Sequence, residues 1–125
     1  YLFYEALVKK DAFQTEEGFL VPAEKRVETF RRILTAYGFN ERETEDFIEY
    51  WSDYLTSGED YVMYPMFTDG VDAAMPISFS AAPDSIYRIW FGFAVYNGER
   101  IKTPEITPIV RKGFTVIEWG GAVLN

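Results

Sequence analysis

The stretch that most constrains this chain is the apolar run Gly113–Gly121 (GFTVIEWGG), which lies close to the C-terminus. Chain ends usually fray, and an end that is this apolar is usually held as a strand inside a sheet. The run predicts a short strand from Phe114 to Trp119 that is apolar on both faces and stops at the glycine pair. The rest of the chain is expected to build a sheet around it.

Length and charge narrow the possible functions. A chain of 125 residues, 48% of them hydrophobic, is expected to form one domain with a sizeable core. Its net charge of -8 argues against nucleic acid and anionic membrane surfaces as partners, because both attract basic patches. No apolar run approaches the roughly 20 residues that span a bilayer, so this segment is not expected to insert into a membrane.

The sequence contains no cysteine and no histidine. Their absence excludes thiol catalysis, Ser-His-Asp triads and metal sites built from Cys or His ligands. Any enzymatic chemistry would therefore depend on carboxylates, Lys, Tyr, Ser, Thr or Arg. We expect no cofactor.

The first half of the chain predicts strand segments and a first helix. Tyr1–Lys10 is rich in aromatic and branched residues and predicts a strand, and Phe19–Val21 predicts a brief extended piece. A helix is expected over residues 23–37, with Gly38 as its C-terminal cap. Its apolar stripe is Val27, Phe30, Ile33, Leu34 and Tyr37, and its outer face carries Lys25, Arg26, Arg31 and Arg32.

A second helix is predicted to follow at once, which makes an αα-hairpin. Asn40 and Glu43 have the spacing of a capping box at its start, and Gly58 stops it. Its buried stripe is predicted to comprise Phe47, Ile48, Trp51, Tyr54 and Leu55.

The second half predicts strands. Tyr61–Phe67 is interrupted by Pro65, which places it at a sheet edge or a bulge. In residues 75–80 the apolar side chains of Met75, Ile77 and Phe79 alternate with Pro76, Ser78 and Ser80, which predicts a half-buried strand. Ile86–Tyr96 is the longest strand signal, and because both of its faces are apolar it is expected to be central. Its core face is predicted to be Tyr87, Ile89, Phe91, Phe93 and Val95.

The pair Asn97-Gly98 predicts a type I′ hairpin, with Glu99–Lys102 beginning the returning strand. Together these elements predict an α+β fold. One helical hairpin packs on one face of a mostly antiparallel sheet of about five strands, in which the two terminal strands lie near each other.

Five stretches of this chain follow one another in an order that is also found in other proteins: YLFYEA at the start, GFLV before the helices, YGFNERETEDFIEYW across the helices, PDSIYR before the long strand and RKGFTVIEWGG at the end. In these motifs the chain resembles an uncharacterised family of bacterial exported or lipoprotein-type domains, with similar sequences in fungi. The resemblance implies an extracellular or cell-envelope location and no particular catalytic residue. Because the chain begins at Tyr1, residues 1–125 are expected to be the C-terminal part of a longer exported protein.

Two lone glutamates form the first candidate site. Glu5 and Glu118 each lie in an apolar strand, and if the strands are neighbours they form a carboxylate pair of the kind that glycosidases use. Alternatively, each carboxylate is solvated at a strand end or paired with a basic residue, for which Arg88, Arg111 and Lys112 are the candidates.

The second candidate is a ligand-binding surface formed by Arg88, Trp90 and Tyr96 on one face of the long strand. Arginine beside aromatic rings suits a carbohydrate or a peptide carboxylate. Alternatively, the helical hairpin covers this face and Arg88 reaches a carboxylate of the second helix, namely Asp46, Glu49 or Asp53.

Two acidic segments complete the candidates. Asp69 and Asp72 flank a glycine turn and could bind Ca²⁺, although the spacing lacks the other ligands of an EF-hand and suits an ordinary turn. The charge run from Glu41 to Asp53 is either a solvated helix face or an acidic docking surface for a basic partner.

The expected function is a non-enzymatic cell-surface or secreted domain. It would act as a binding module or a structural unit of an envelope assembly, with a protein or glycan partner or with copies of itself. The alternative is a small carboxylate-dependent hydrolase that acts on glycans, with Glu5 and Glu118 as its catalytic residues.

Overall fold

A computed structural model describes residues 2–3, 13–67, 71, 85–111, 113 and 115–124. In chain order its elements are β1 (Leu2–Phe3), β2 (Phe19–Val21), a 3-10 turn (Ala23–Lys25), α1 (Arg26–Tyr37), α2 (Glu41–Tyr54), β3 (Tyr61–Met66), β4 (Ser85–Val95) and β5 (Thr115–Val123). Within these residues the strands form one sheet in the order β1-β5-β4-β3-β2, and the two helices pack on one of its faces. The predicted α+β class is confirmed.

The sheet is mixed rather than mostly antiparallel. β2, β3 and β4 pair in antiparallel fashion, whereas β4, β5 and β1 pair in parallel. The two terminal strands are neighbours, as predicted, with Leu2 opposite Glu118 and Phe3 opposite Trp119. β4 is central, as predicted, because β3 and β5 occupy its two edges.

The hairpin predicted at Asn97-Gly98 is wrong. A turn does form, with Gly98 at φ 87°, but the segment after it cannot pair with β4 because both edges of β4 are already filled. The chain instead runs along the surface over residues 99–111, none of which is buried. On the way Lys102 bridges to Glu17, and the Ile109 N–H donates to the Tyr37 carbonyl at 2.8 Å.

Both predicted caps of the helical hairpin are present. Gly38 ends α1 in the left-handed conformation at φ 97°. At the start of α2, the Glu43 N–H donates to Asn40 Oδ1 and the Asn40 N–H donates to Glu43 Oε1, both at 2.8 Å. Reciprocal bonds of this kind satisfy two amides that have no partner within the helix.

Two residues of α1 face the other way from the prediction. Val27 was placed in the buried stripe but is 43% exposed. Arg26 was placed outside but is buried, because its guanidinium donates to the carbonyls of Thr56 and Glu59 at 2.9 and 2.7 Å. Arg26 therefore ties the start of α1 to the loop that follows α2.

The core lies between the helices and the face of β4 that the alternation predicted. Phe91 and Phe93 pack edge-on or tilted against Phe47, with ring centroids 5.5 and 6.4 Å apart. Ile89 joins the same cluster, whereas Val95, which was also assigned to this face, is exposed at the end of the strand.

The glycine pair does not stop the last strand, which continues to Val123. A Cβ on Gly121 would lie 2.6 Å from Trp51 Cζ2 and 2.9 Å from the Phe91 carbonyl oxygen, which is closer than Cβ atoms approach such groups. Glycine is needed here because the indole of Trp51 lies directly on the strand. The predicted end at Trp119 is therefore wrong.

The pairing of the sheet explains how β3 accommodates Pro65. β3 is an inner strand, but β2 pairs only with residues 61–63, so Pro65 lies beyond the end of β2. Its carbonyl accepts a hydrogen bond from Gln14 Nε2 at 2.8 Å instead. The strand predicted over residues 75–80 lies outside the described residues, as does the part of the first predicted strand that follows Phe3. Within the described segments no helix is both long and apolar enough to cross a bilayer.

Candidate functional site

Glu118 forms a buried ion pair with Arg88. The two residues are directly opposite each other in the parallel register of β4 and β5. Arg88 Nε donates to Glu118 Oε2 at 2.7 Å and Arg88 Nη2 donates to Oε1 at 3.3 Å, while the Trp90 indole N–H donates to Oε2 at 3.2 Å. Glu118 is 0% exposed and Arg88 is 1% exposed. Of the alternatives for Glu118, pairing with Arg88 is the one observed.

This ion pair lies on the sheet face opposite the helices. Trp90 packs there with Phe13, Met66 and Val71. The helical hairpin therefore does not cover Arg88, and the alternative that paired Arg88 with a carboxylate of α2 is wrong. Arg111 lies elsewhere, where it bonds to Glu43 Oε1 and the Gly38 carbonyl.

The remaining predicted site residues do not gather around this pair. Tyr96 lies just past β4, six residues from Trp90 or about 20 Å at the rise of a strand. It lines a cleft of about 100 Å³ together with Tyr64 and Arg100. Glu5, Asp69 and Asp72 lie outside the described residues, so the Glu5–Glu118 pair and the Ca²⁺ site stay predictions. Within the described residues no three carboxylates are grouped so as to hold a metal ion.

An open groove runs along α2 and has a volume of about 480 Å³. Its described lining consists of three carboxylates and two tyrosines: Asp46, Glu49, Tyr50, Asp53 and Tyr54. Helical spacing brings them together, because residues three or four apart share a face of a helix. We call this surface the α2 groove.

The carboxylates of the α2 groove have no basic partner among the residues that the structure describes. Asp46, Glu49 and Asp53 form no salt bridge with any residue that the structure describes, whereas Glu45, on the same helix, pairs with Arg31. The last turn of α2 also contains no basic residue, although the helix dipole favours positive charge there. Negative charge therefore accumulates along the groove, and no described basic residue compensates it.

The two tyrosines of the α2 groove stack on each other. Their ring centroids are 5.6 Å apart and their planes differ by 16°. Tyr54 is 52% exposed, so its predicted place in the buried stripe is wrong. Trp51 stays buried beneath them and meets both rings edge-on, at 5.0 and 5.3 Å. Trp51 therefore supports the two tyrosines from beneath, and their stacked rings form an aromatic surface beside the carboxylates.

The sequence carried a signal for this groove that the prediction missed. Asp46, Tyr50 and Tyr54 follow one another at intervals of four, which places both tyrosines on the charged face of α2 rather than the core face. The acidic docking surface was proposed from charge alone, and the aromatic pair was not part of it.

A second cleft of about 480 Å³ lies at the end of β3 and is lined by residues that include Gln14, Glu17, Phe67 and Pro104. Tyr37 packs against Phe67, with ring centroids 5.7 Å apart. Burial, and to a lesser degree the charge of Glu17, raises the pKa of the Tyr37 phenol well above its usual range. Its hydroxyl is sealed from solvent, so it cannot contact a ligand in this cleft.

No protein-family model, no characterised protein and no solved structure matches this chain. The resemblance to bacterial exported domains therefore stays a prediction.

Proposed function

We propose that this domain is a non-enzymatic binding module, extracellular or in the cell envelope, whose α2 groove binds a lysine- or arginine-rich segment of a partner protein. One observation carries the proposal: three carboxylates that pair with no described basic residue flank a stacked and partly exposed tyrosine pair. The location follows from the family resemblance.

Each part of the groove suits a cationic side chain. Asp46, Glu49 and Asp53 supply attraction that no described basic residue neutralises. The exposed ring of Tyr54 can lie against an ammonium or guanidinium group, which contributes about 0.5–1 kcal/mol at an exposed site. The net charge of -8 adds a long-range attraction that speeds association with positively charged partners. A neutral glycan would stack on the tyrosines but would leave the three charges unused.

The hydrolase alternative has less support. Glu118, its principal candidate, accepts hydrogen bonds from Arg88 and Trp90 and is 0% exposed. A general acid or nucleophile must reach the substrate, and this carboxylate is already occupied within the protein.

The test is a binding titration with a fluorescent peptide that carries four lysines or arginines, followed by fluorescence anisotropy at low and at physiological salt. The variant Asp46→Asn/Glu49→Gln/Asp53→Asn keeps the shape of the groove and removes its charge. We expect it to weaken binding at least about tenfold, which corresponds to about 1.4 kcal/mol. Tyr54→Ala should weaken binding by a smaller factor.

A matched control separates local recognition from net charge. The variant Glu24→Gln/Glu59→Gln/Glu105→Gln also removes three negative charges, but from exposed positions outside the groove. We expect it to bind the peptide almost as tightly as the wild type. If both triple variants lose affinity equally, the attraction is nonspecific and the α2 groove is not a binding site.

A further inference from the structure

The turn at Asn97-Gly98 follows β4 but closes no hairpin. Both residues are exposed, and Gly98 adopts φ 87° with no atom within 4 Å of where a Cβ would lie. The turn is therefore open to solvent and lies outside the strands.

The geometry of the turn brings the Asn97 carboxamide close to the next peptide group. Asn97 Oδ1 accepts a hydrogen bond from the Glu99 N–H at 3.0 Å, which makes an Asx-type turn around Gly98. The Gly98 N–H donates to no acceptor within the described residues. No side chain on Gly98 shields its nitrogen.

We infer that Asn97 is a site of spontaneous deamidation. The Gly98 backbone nitrogen loses its proton to solvent base and attacks Asn97 Cγ. The new N–Cγ bond closes a five-membered succinimide as the Cγ–Nδ2 bond breaks and Nδ2 leaves with protons from water as ammonia. Water then opens either carbonyl of the ring and leaves aspartate or isoaspartate at position 97. The net change is addition of one water and loss of one ammonia.

The hydrogen bond from Glu99 favours the first step. Attack on Cγ places negative charge on Oδ1, and a backbone N–H that already points at this oxygen stabilises that charge. The reaction should therefore proceed in the folded protein, where the turn holds this geometry, and should accelerate at alkaline pH.

Asn40 is an internal control. It precedes Glu41, whose side chain shields the attacking nitrogen, and its own side chain is engaged in the capping box at the start of α2. Its local structure is therefore held by the helix rather than by an open turn.

Deamidation would change the surface at the end of β4. A new carboxylate would lie among the residues of the small cleft, which include Tyr96 and Arg100. Isoaspartate would also lengthen the backbone of the turn by one methylene group. The charge of the protein would become more negative by one.

The test is to incubate the intact folded protein in H₂¹⁸O at physiological temperature and to digest samples with trypsin for mass spectrometry. Cleavage after Arg88 and Arg100 isolates Asn97, and cleavage after Arg32 and Arg42 isolates Asn40. We expect Asn97 to convert at least about tenfold faster than Asn40, a difference of about 1.4 kcal/mol in activation free energy. Isoaspartate should exceed aspartate, and Gly98→Ala should slow the conversion.

Two results would overturn the inference. One is conversion of Asn97 no faster than that of Asn40 in the same molecules. The other is rapid conversion of Asn97 in the urea-unfolded chain together with little conversion in the folded protein, which would show that the turn protects this residue.

Discussion

Two groups of carboxylates in this protein differ in how their charge is satisfied. Glu118 lies inside the sheet, where Arg88 and the Trp90 indole occupy both of its oxygens. The carboxylates of the α2 groove lie at the surface, and no described basic residue pairs with them. The sequence left both groups open: the lone strand glutamates were either a catalytic pair or solvated or ion-paired residues, and the helix charges were either a solvated face or an acidic docking surface.

The difference indicates where an outside partner would act. A buried carboxylate that the protein itself neutralises contributes to the fold, and its removal takes a partner away from a buried cation. Exposed carboxylates that repel one another gain from a cation that arrives from outside. The same chemical change, loss of a carboxylate charge, should therefore affect stability in opposite directions at the two places.

The largest effect is expected at the buried pair. Glu118→Leu leaves the Arg88 guanidinium buried without its carboxylate, so we expect a loss of about 3–5 kcal/mol in the free energy of unfolding. Urea denaturation measures it. The double variant Arg88→Met/Glu118→Leu should lose less than the single variant, because the buried guanidinium that contacts this carboxylate is then removed as well. A single variant as stable as the wild type would show that the pair is not coupled.

An effect on stability of intermediate size is expected at a buried hydroxyl that has no described partner. The Tyr37 hydroxyl has no hydrogen-bond partner among the described residues. Because a buried hydroxyl of this kind costs roughly 1–3 kcal/mol, Tyr37→Phe should leave stability unchanged or raise it by about 1 kcal/mol. Thermal and urea unfolding measure the change, and a loss above about 1 kcal/mol would show that the hydroxyl makes a stabilising bond.

The stability of Tyr37→Phe relative to the wild type should also depend on pH. Burial raises the pKa of folded Tyr37 above the value of about 10 that an unfolded chain shows. Above about pH 10 the unfolded state loses this proton while the folded state keeps it, so the wild type loses stability as the pH rises. Tyr37→Phe lacks this loss, and its advantage over the wild type should grow in alkaline solution. An advantage that does not change with pH would contradict the raised pKa.

Neutralising the α2 groove should have a smaller effect of opposite sign to that at Glu118. Glu49 and Asp53 are four residues apart on one helix, and such like-charge pairs cost about 0.2–0.5 kcal/mol. We therefore expect Asp46→Asn/Glu49→Gln/Asp53→Asn to stabilise the isolated protein by a few tenths of a kcal/mol, less at high salt. Urea denaturation at two salt concentrations checks this. A destabilised variant would indicate that these carboxylates already have partners.

The smallest effect is expected at the exposed pair of Arg31 and Glu45. The hydrogen bond that Arg31 donates to Glu45, and next the charge of that carboxylate, raise the pKa of the Arg31 guanidinium, but both side chains are about half exposed and solvent screens their attraction. Glu45→Gln should leave unfolding unchanged within the scatter of replicate measurements. A clear loss of stability would mean that this exposed ion pair stabilises the protein despite solvent screening.

Local signals predicted the helical hairpin well. The cap at Gly38 and the capping box of Asn40 and Glu43 depend on residues close in sequence, and they formed as expected. The core face of β4 also followed from alternation, because each of Ile89, Phe91 and Phe93 faces the helices.

The wrong predictions concern residues whose contacts join distant parts of the chain. Arg88 meets Glu118 only because β4 and β5 pair in parallel, and the connection that makes them parallel resembled a hairpin in sequence. Gly121 looked like a strand end because the approach of Trp51 is not visible along the chain. Tyr54 was assigned to the core because its aromatic character outweighed the charges that share its face.

The most direct test of the central claim is an amide-resolved NMR titration of the folded protein with the lysine- and arginine-rich peptide. We expect concentration-dependent shifts concentrated at residues 46–54, with the amides of Arg88 and Glu118 unmoved, and loss of these shifts in the variant with a neutralised α2 groove. Shifts that map elsewhere on the protein, or that survive in that variant, would contradict the assignment of the α2 groove as the binding site.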